Sequence, residues 1–401
     1  MRKSPTTSVT IRLALLIAML WAGAVPQAGA QTEISTINST VRALGMGDAY
    51  TALSDDDSAL FYNPAGLARV SGLNFKIFSL RAGANELDTY NKIRDLNTDD
   101  SDEFSEAIED LYGEHVWSGA GASSAFTAPM IGIAVYDHID ALIRIDNPVY
   151  PEIYTSVIND YGYVLGFGAP IGPFVHAGFN LKYIKRMGAR VPWGASTIAD
   201  LDPDVIYSNV TGWGKGYGVD TGVNLILPAP FFTATLSTVW KNLGGMKFRS
   251  DDPGADIPTE DNDITLGAAL LFYTPIVSVA PAVDFRLINR PDIQLTRKIN
   301  FGVEIGLPLL DLRAGFREGY YTAGAGVNLG LFRVDAATYG VELGDYPGQI
   351  EDRRYALEFT MELGIGGFTA PGVEPKGGRQ ATGSGSNSGS IWGGRRLKQR
   401  R

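Results

Sequence analysis

The chain has no cysteine and only three histidines, His115, His138 and His176. The first absence excludes a disulfide scaffold, a thiolate metal site and a cysteine nucleophile. The second leaves too few imidazoles for a His-rich metal centre. Long hydrophobic runs are missing too: past the first thirty residues, no stretch reaches the ~20 apolar residues of a transmembrane helix. There is no basic surplus. Lys and Arg number 34 against 44 Asp and Glu, a net charge of −10, which is the wrong sign for a nucleic-acid binder. The G-x-S-x-G, G-x-x-x-x-G-K-[ST] and H-E-x-x-H signatures are absent. Gly212-Trp213-Gly214-Lys215-Gly216-Tyr217-Gly218 misses the dinucleotide spacing and leads into a strand pattern. Neither an enzyme, nor a cofactor, nor a metal site is expected.

What the 401 residues do hold is glycine and aromatics: 48 Gly, 18 Tyr, 18 Phe and 6 Trp, a composition suited to β hairpins. Arg2, Lys3 and Arg12 flank the start of an apolar run over 13–22, and Ala28-Gly29-Ala30 follows. Residues 1–30 thus read as a signal peptide for export, with Gln31 as the mature N-terminus. At the other end, residues 369–401 form a basic Gly/Ser-rich tail expected to be disordered. Seven bases lie in 372–401 (Lys376, Arg379, Arg395, Arg396, Lys398, Arg400, Arg401) against Glu374. With those and the three signal bases set aside, the body over 31–371 carries −19.

From about Leu73 the dominant signal is period-two alternation. Tyr355, Leu357, Phe359, Met361, Leu363 and Ile365 share one face, opposite Ala356, Glu358, Thr360, Glu362 and Gly364. Similar stretches recur at 174–185, 217–225, 231–241, 277–287, 299–305, 309–317, 320–329 and 331–342. A soluble sandwich and a membrane barrel both alternate, with opposite faces wetted. Loop lengths separate them. Tight apolar turns such as Leu227-Pro228-Ala229-Pro230 and Gly306-Leu307-Pro308 alternate with long acidic loops near 84–114, 188–215, 243–263, 289–296 and 343–352. Short turns on one rim and long loops on the other belong to an outer-membrane barrel. The expected fold is an all-β, transmembrane antiparallel barrel of about fourteen strands over 72–368, in a bacterial cell outer membrane.

Residues 31–71 stand outside the alternation and are too few for a core of their own, so they are expected inside the barrel as a small helical plug. They contain Ala43-Leu44-Gly45-Met46-Gly47-Asp48-Ala49 and, further on, Asn63-Pro64-Ala65. Pro64 pushes Asn63 out of the helical region, so Asn63 ends one short helix and caps the next, with Pro64 at its first position. Asp57 is the expected cap of the preceding turn. A signal peptide, this motif, the Asn63-Pro64-Ala65 triplet and a barrel of about fourteen strands together resemble the FadL/TodX-type outer-membrane transporter superfamily. The wording around the triplet is nearest to its PorV/PorQ-like branch. The resemblance implies that 31–71 form a hatch, and that ligands are hydrophobic, fatty-acid-like small molecules leaving through a lateral gap. The PorV/PorQ-like alternative is an accessory barrel that binds secretion-system proteins. Expected partners are therefore outer-membrane lipid with a hydrophobic ligand or with secretion proteins, and no nucleic acid.

On a barrel the polar face becomes the lumen, which makes Asp220, Asn224, Asp284, Arg286, Glu304, Arg313 and Arg333 candidates for a ligand path. The three arginines could each grip a carboxylate with two hydrogen bonds. Opposite signs lie close along single strands, Asp284 with Arg286 and Asp311 with Arg313, so a salt-bridged interior that holds the hatch is the rival reading. The first long loop, 84–114, has eleven acids against Lys92 and Arg94, with Phe104, Ala107, Ile108 and Leu111 at helical spacing. It is expected to carry a short amphipathic helix over the mouth.

Overall fold

The structure is a computed structural model and describes residues 33–34, 38–85, 115–146, 152–194, 212–250, 257–274, 276–344 and 346–365. The expected signal peptide, most of the first acidic loop and the basic tail lie outside the described residues.

Alternating sequence becomes strand throughout: β1 (Leu73–Ala84), β2 (His115–Ala128), β3 (Ile131–Asp146), β4 (Glu152–Pro170), β5 (Val175–Gly194), β6 (Trp213–Pro228) and β7 (Phe232–Lys241). A two-residue β8 (Arg249–Ser250) is followed by β9 (Asp263–Tyr273), β10 (Ser278–Phe285), β11 (Ile299–Gly306) and β12 (Leu310–Arg317). The chain ends its sheet with β13 (Tyr320–Asn328), β14 (Phe332–Glu342) and β15 (Glu351–Ile365). Neighbours in sequence pair antiparallel, β1 pairs with β15, and β5 pairs with β6, so the sheet closes on itself. Fourteen strands form the wall; β8 is an edge piece on β6.

The wall is apolar outside and polar inside. On β15, Tyr355, Leu357, Phe359, Leu363 and Ile365 are exposed while Ala356, Glu358 and Thr360 are buried. Water would not leave such an exterior bare over a whole barrel; hydrocarbon solvates it. β3 to β6 are longer than expected, at 16 to 20 residues, and β5 runs on to Gly194, well into the segment read as loop. On the long-loop rim, β12 and β13 are joined through Glu318 and Gly319 alone, both in the left-handed region. Loop length therefore sorts the rims with one exception.

Inside the closed wall lies the N-terminal segment. It starts near the long-loop rim, where Glu33 pairs with Arg354 at 2.6 Å and the Ile34 carbonyl accepts from Arg317 at 3.1 Å. It ends at Leu73 on the opposite rim, so it threads the height of the barrel. A single turn, α1 (Val41–Leu44), is capped by the Thr40 hydroxyl, which accepts from the Ala43 N–H. Gly47 then reverses the chain at φ 66°, where a Cβ would sit 2.6 Å from the Phe316 carbonyl and 2.7 Å from that of Phe301. A 3-10 turn over Asp57–Leu60 follows, and another over Pro64–Arg69. The cap of the first is Asp56, which accepts from the Ser58 N–H at 2.9 Å, rather than Asp57. Asp57 is the first residue of the turn, and its carboxylate instead pairs with Lys76 of the wall. Another short turn, α2 (Leu295–Lys298), carries Lys298 off the strand on which the alternation placed it.

The exterior yields a direct prediction. Leu357→Arg, at an exposed position near the middle of β15, should lower the stability of the barrel folded in phosphatidylcholine vesicles by about 2–4 kcal/mol. Urea titration reads this, and an unchanged midpoint would mean that Leu357 does not face lipid.

Candidate functional site

The candidate site is the seam between the N-terminal segment and the wall. Its β10–β15 side is polar. Glu304 of β11 accepts from Arg42 Nε and Nη2, both at 2.8 Å, and from Arg313 Nε, also at 2.8 Å. Arg313 reaches on to Asp335 at 2.7 Å, and Arg333 closes on the same carboxylate at 2.6 Å. Asp284 of β10 accepts from the Tyr50 and Thr51 N–H groups at 2.9 Å each and from the Thr51 hydroxyl at 2.7 Å. Asp48, on the segment, meets Arg286 at 2.6 Å and Arg317 at 3.7 Å, and accepts from the Tyr62 hydroxyl. Glu358 accepts from the Val41 N–H at 3.0 Å. Burial pushes the Asp48 carboxyl up. The Arg286 and Arg317 charges and the Tyr62 hydrogen bond outweigh that and hold it below the ordinary carboxylate range.

The triplet sits at the middle of the seam. Asn63 is fully buried; its Oδ1 accepts from the Ala65 N–H at 3.1 Å, and its Nδ2 donates to Asn224 of β6 at 2.6 Å and to the Thr51 carbonyl at 3.2 Å. One side chain thus caps a turn and ties it to the wall. A Cβ at Gly178 would lie 2.5 Å from the Pro64 carbonyl, so the wall is thinned there to let the backbone approach.

The β3–β5 side carries an apolar strip, flanked by the Asn180 amide of β5, which donates to the Leu60 carbonyl at 2.9 Å. Leu60, Leu67 and Val70 of the segment pack with Ala134, Tyr136, Val164 and Ile184, which face inward from β3, β4 and β5. Phe61 meets the Tyr136 ring edge-on at 5.5 Å. One inner cavity, of about 20 Å³ and so near the size of one water, is bordered by Lys76, Arg81, His138 and Glu358.

Every candidate lumen residue points inward, but to different partners. Asn224, Asp284, Arg286 and Glu304 touch the N-terminal segment directly. Asp220 pairs with Lys182 at 2.7 Å and accepts from the Asn242 N–H, on the wall alone. Arg313 and Arg333 bind wall carboxylates. All three candidate arginines thus have protein carboxylates as partners. Sequence reasoning passed over the segment's own contributors, Arg42, Asp48, Thr51 and Tyr62. Their signal was present: Arg42 and Asp48 are the two charges bracketing an otherwise small and apolar run.

No protein-family model and no curated protein matches the chain. Among solved structures, the toluene transporter TodX of Pseudomonas putida is 9% identical, covering 84% of this chain and 99% of that one at a TM-score of 0.43. The toluene transporter TbuX of Ralstonia pickettii is 10% identical, covering 80% and 96% at 0.45. CdiB from Acinetobacter baumannii is 10% identical, covering 73% and 60% at 0.32. Likeness this distant assigns neither family nor function. The chain's own geometry has to carry one.

Two outcomes follow from the seam. Glu304→Ala leaves two buried guanidiniums without their shared carboxylate and should cost about 3–5 kcal/mol, measured by denaturant titration in micelles. Glu304→Gln should cost less. A wild-type midpoint for Glu304→Ala would show that the clasp does not hold the segment. For pH, a lowered Asp48 pKa stabilises the seated segment fully above the unfolded value of ~3.9 and loses that contribution as pH falls through the folded value. Planar-bilayer conductance should stay low at neutral pH and rise only below about 4, whereas Asp48→Asn should raise it at neutral pH already.

Proposed function

We propose that the protein is a bacterial outer-membrane barrel of the FadL type that passes hydrophobic, fatty-acid-like small molecules, with residues 31–71 as its movable hatch. The observation that carries this is the two-sided seam. On the β10–β15 side the segment is held by ion pairs and hydrogen bonds, which water can replace one at a time as the segment shifts. Across β3–β5, Leu60 and Leu67 cover an apolar strip of Ala134, Tyr136, Val164 and Ile184, with the Asn180 and Asn224 amides as the polar ties beside it. A shift of the segment would bare that strip inside a charged lumen, and an apolar ligand is what would bury it again. Leu60 and Leu67 lie directly on the strip, and the neighbouring inner cavity of about 20 Å³ is too small for such a ligand. Asn63, bonded at once to the wall and to its own turn, is the natural trigger within the triplet.

The accessory-barrel alternative would need apolar surface outside the lipid-facing belt. Among the described residues the most exposed large apolar side chains are Phe231 and Ile171, at short-turn tips, and Tyr217, on the outer face of β6, where lipid accounts for them.

Cells lacking their own long-chain fatty-acid channel, and expressing this chain, should take up labelled oleate across the outer membrane. Ile184→Asp, which charges the apolar strip, should cut uptake on the order of tenfold, in line with the cost of burying an unpaired carboxylate. Uptake is normalised to the amount of folded barrel, read from heat-modifiable migration, because the buried carboxylate also costs stability. No uptake by the unaltered chain, together with a stoichiometric protein partner on purification, would overturn the channel reading in favour of the accessory one.

A further inference from the structure

Toward the long-loop rim the lumen holds a second element, distinct from the N-terminal segment. It comes from the connection between β7 and β9, of which 242–250 and 257–262 are described. After β7 the chain turns through Asn242, Gly244 and Gly245, at φ 48°, 82° and 80°. Met246 then exchanges backbone hydrogen bonds with Glu260, at 2.7 and 3.0 Å, which ties the two halves of the connection into one unit.

The wall opposite this unit has no side chains of its own. Gly214, Gly216 and Gly218 occupy three successive inward positions of β6. They leave a trough roughly 13 Å long at ~3.3 Å per residue. A Cβ at Gly214 would lie 2.6 Å from Ile257 Cδ1, and one at Gly216 would lie 2.8 Å from the Phe248 ring. One at Gly218 would collide with the Met246 methyl. Side chains of the connection therefore fill the trough. Met246 and Phe248 also join the cluster of Tyr136, Val164 and Ile184, the apolar strip that Leu60 covers from the hatch.

The same unit carries a carboxylate. Arg186 of β5 is buried, and Asp160 of β4 accepts from its Nε and Nη2 at 2.6 Å each. Nη2 also pairs with Glu260, and Nη1 donates to the Pro258 carbonyl at 3.0 Å. The guanidinium carbon stands 4.5 Å from the centre of the Phe248 ring. The two carboxylates on Arg186 are not equivalent. Asp160 is fully buried, belongs to the wall and binds through both oxygens. The Glu260 side chain is 22% exposed and meets the guanidinium through Oε1, while its Oε2 accepts from the Asn242 amide at 3.0 Å. Glu260 is the exchangeable partner.

A carboxylate on Arg186, continued by apolar groups lying in a trough, has the outline of an amphiphilic acid. We infer that the β7–β9 connection is an autoinhibitory cap that imitates such a ligand. An alkyl carboxylate binds here by taking the place of Glu260 on Arg186, its chain taking the place of Met246 and Phe248 along the glycines. Guanidinium suits a planar carboxylate, and methionine is the apolar side chain that repacks most readily. The inference rests on the channel reading, for which it names an entry site and the headgroup of the ligand, but the binding it asserts needs no transport.

The test uses the full chain in phosphatidylcholine nanodiscs with a nitroxide on Thr259→Cys, an exposed position of the cap. The chain has no other cysteine. The probes are sodium decanoate and 1-decanol, with empty nanodiscs correcting for partition into lipid. Decanoate should mobilise the nitroxide saturably, and decanol at the same free concentration should not. Glu260→Gln weakens the hold of the cap on Arg186, so half-saturation should come at about a tenfold lower decanoate concentration, on the scale of one hydrogen bond to a charged group. Met246→Ala, which clears part of the trough, should shift it the same way. No response to decanoate, an equal response to decanol, or a half-saturation that neither variant lowers would overturn the site. Oleate uptake is read separately on the same variants. Uptake without the Glu260→Gln shift removes this site and keeps the channel; the shift without uptake keeps the site and removes the channel.

Discussion

One carboxylate, that of Glu304, is shared between Arg42 of the N-terminal segment and Arg313 of the wall. The rest of the molecule is arranged so that such sharing works. A barrel with an apolar exterior has only its interior in which to place polar side chains, and once a segment of the same chain fills that interior they leave water. Buried ions are tolerable only when paired and hydrogen-bonded. Arg42, Arg313 and Arg333 meet Glu304, Asp311 and Asp335, three cations against three anions. The wall thus requires the segment as much as the segment requires the wall, and both must carry complementary charge at fixed heights.

The seam is asymmetric, and this asymmetry links packing to function. Polar contacts are directional and exchangeable with water; apolar packing is neither, and its loss leaves surface that must be covered. A segment clamped by charges on one side and resting on the other on an aliphatic strip tied only by neutral amides has a preferred direction of release. It also runs the barrel's height, from Glu33 beside Arg354 on one rim to Leu73 on the other, so movement at one end bears on contacts at both.

The barrel was readable because period-two alternation survives in nearly every strand and closure follows from an even set of hairpins. The Asn63 cap and Pro64 at the start of its turn were readable for the same local reason: proline restricts its predecessor, and asparagine accepts from the N–H two residues on. What could not be read is pairing across long sequence distance. Nothing local ties Arg42 to Glu304 or Thr51 to Asp284, more than 200 residues away. Asp56 rather than Asp57 caps its turn because Lys76, met only in the folded chain, takes the Asp57 carboxylate. The short link at Glu318 and Gly319 lay beneath a rule about loop length: Gly319 is of the type that enters left-handed turns, but Glu318, also at positive φ, is not.

Because the chain has no cysteine, a single engineered crosslink can ask whether the segment must move. Thr51 Oγ1 lies 2.7 Å from Asp284 Oδ2, so Thr51→Cys with Asp284→Cys sets two thiols facing each other across the seam, and mass spectrometry of the oxidised protein shows that they have joined. Oleate uptake is measured in cells carrying the double variant, oxidised and then reduced, with each single variant as a control for the lost hydrogen bonds. If the segment is a hatch, the oxidised protein passes no ligand and reduction restores uptake to the level of the single variants. If the crosslinked protein passes oleate as fast as the reduced one, the segment is a fixed part of the wall and the hatch mechanism is wrong.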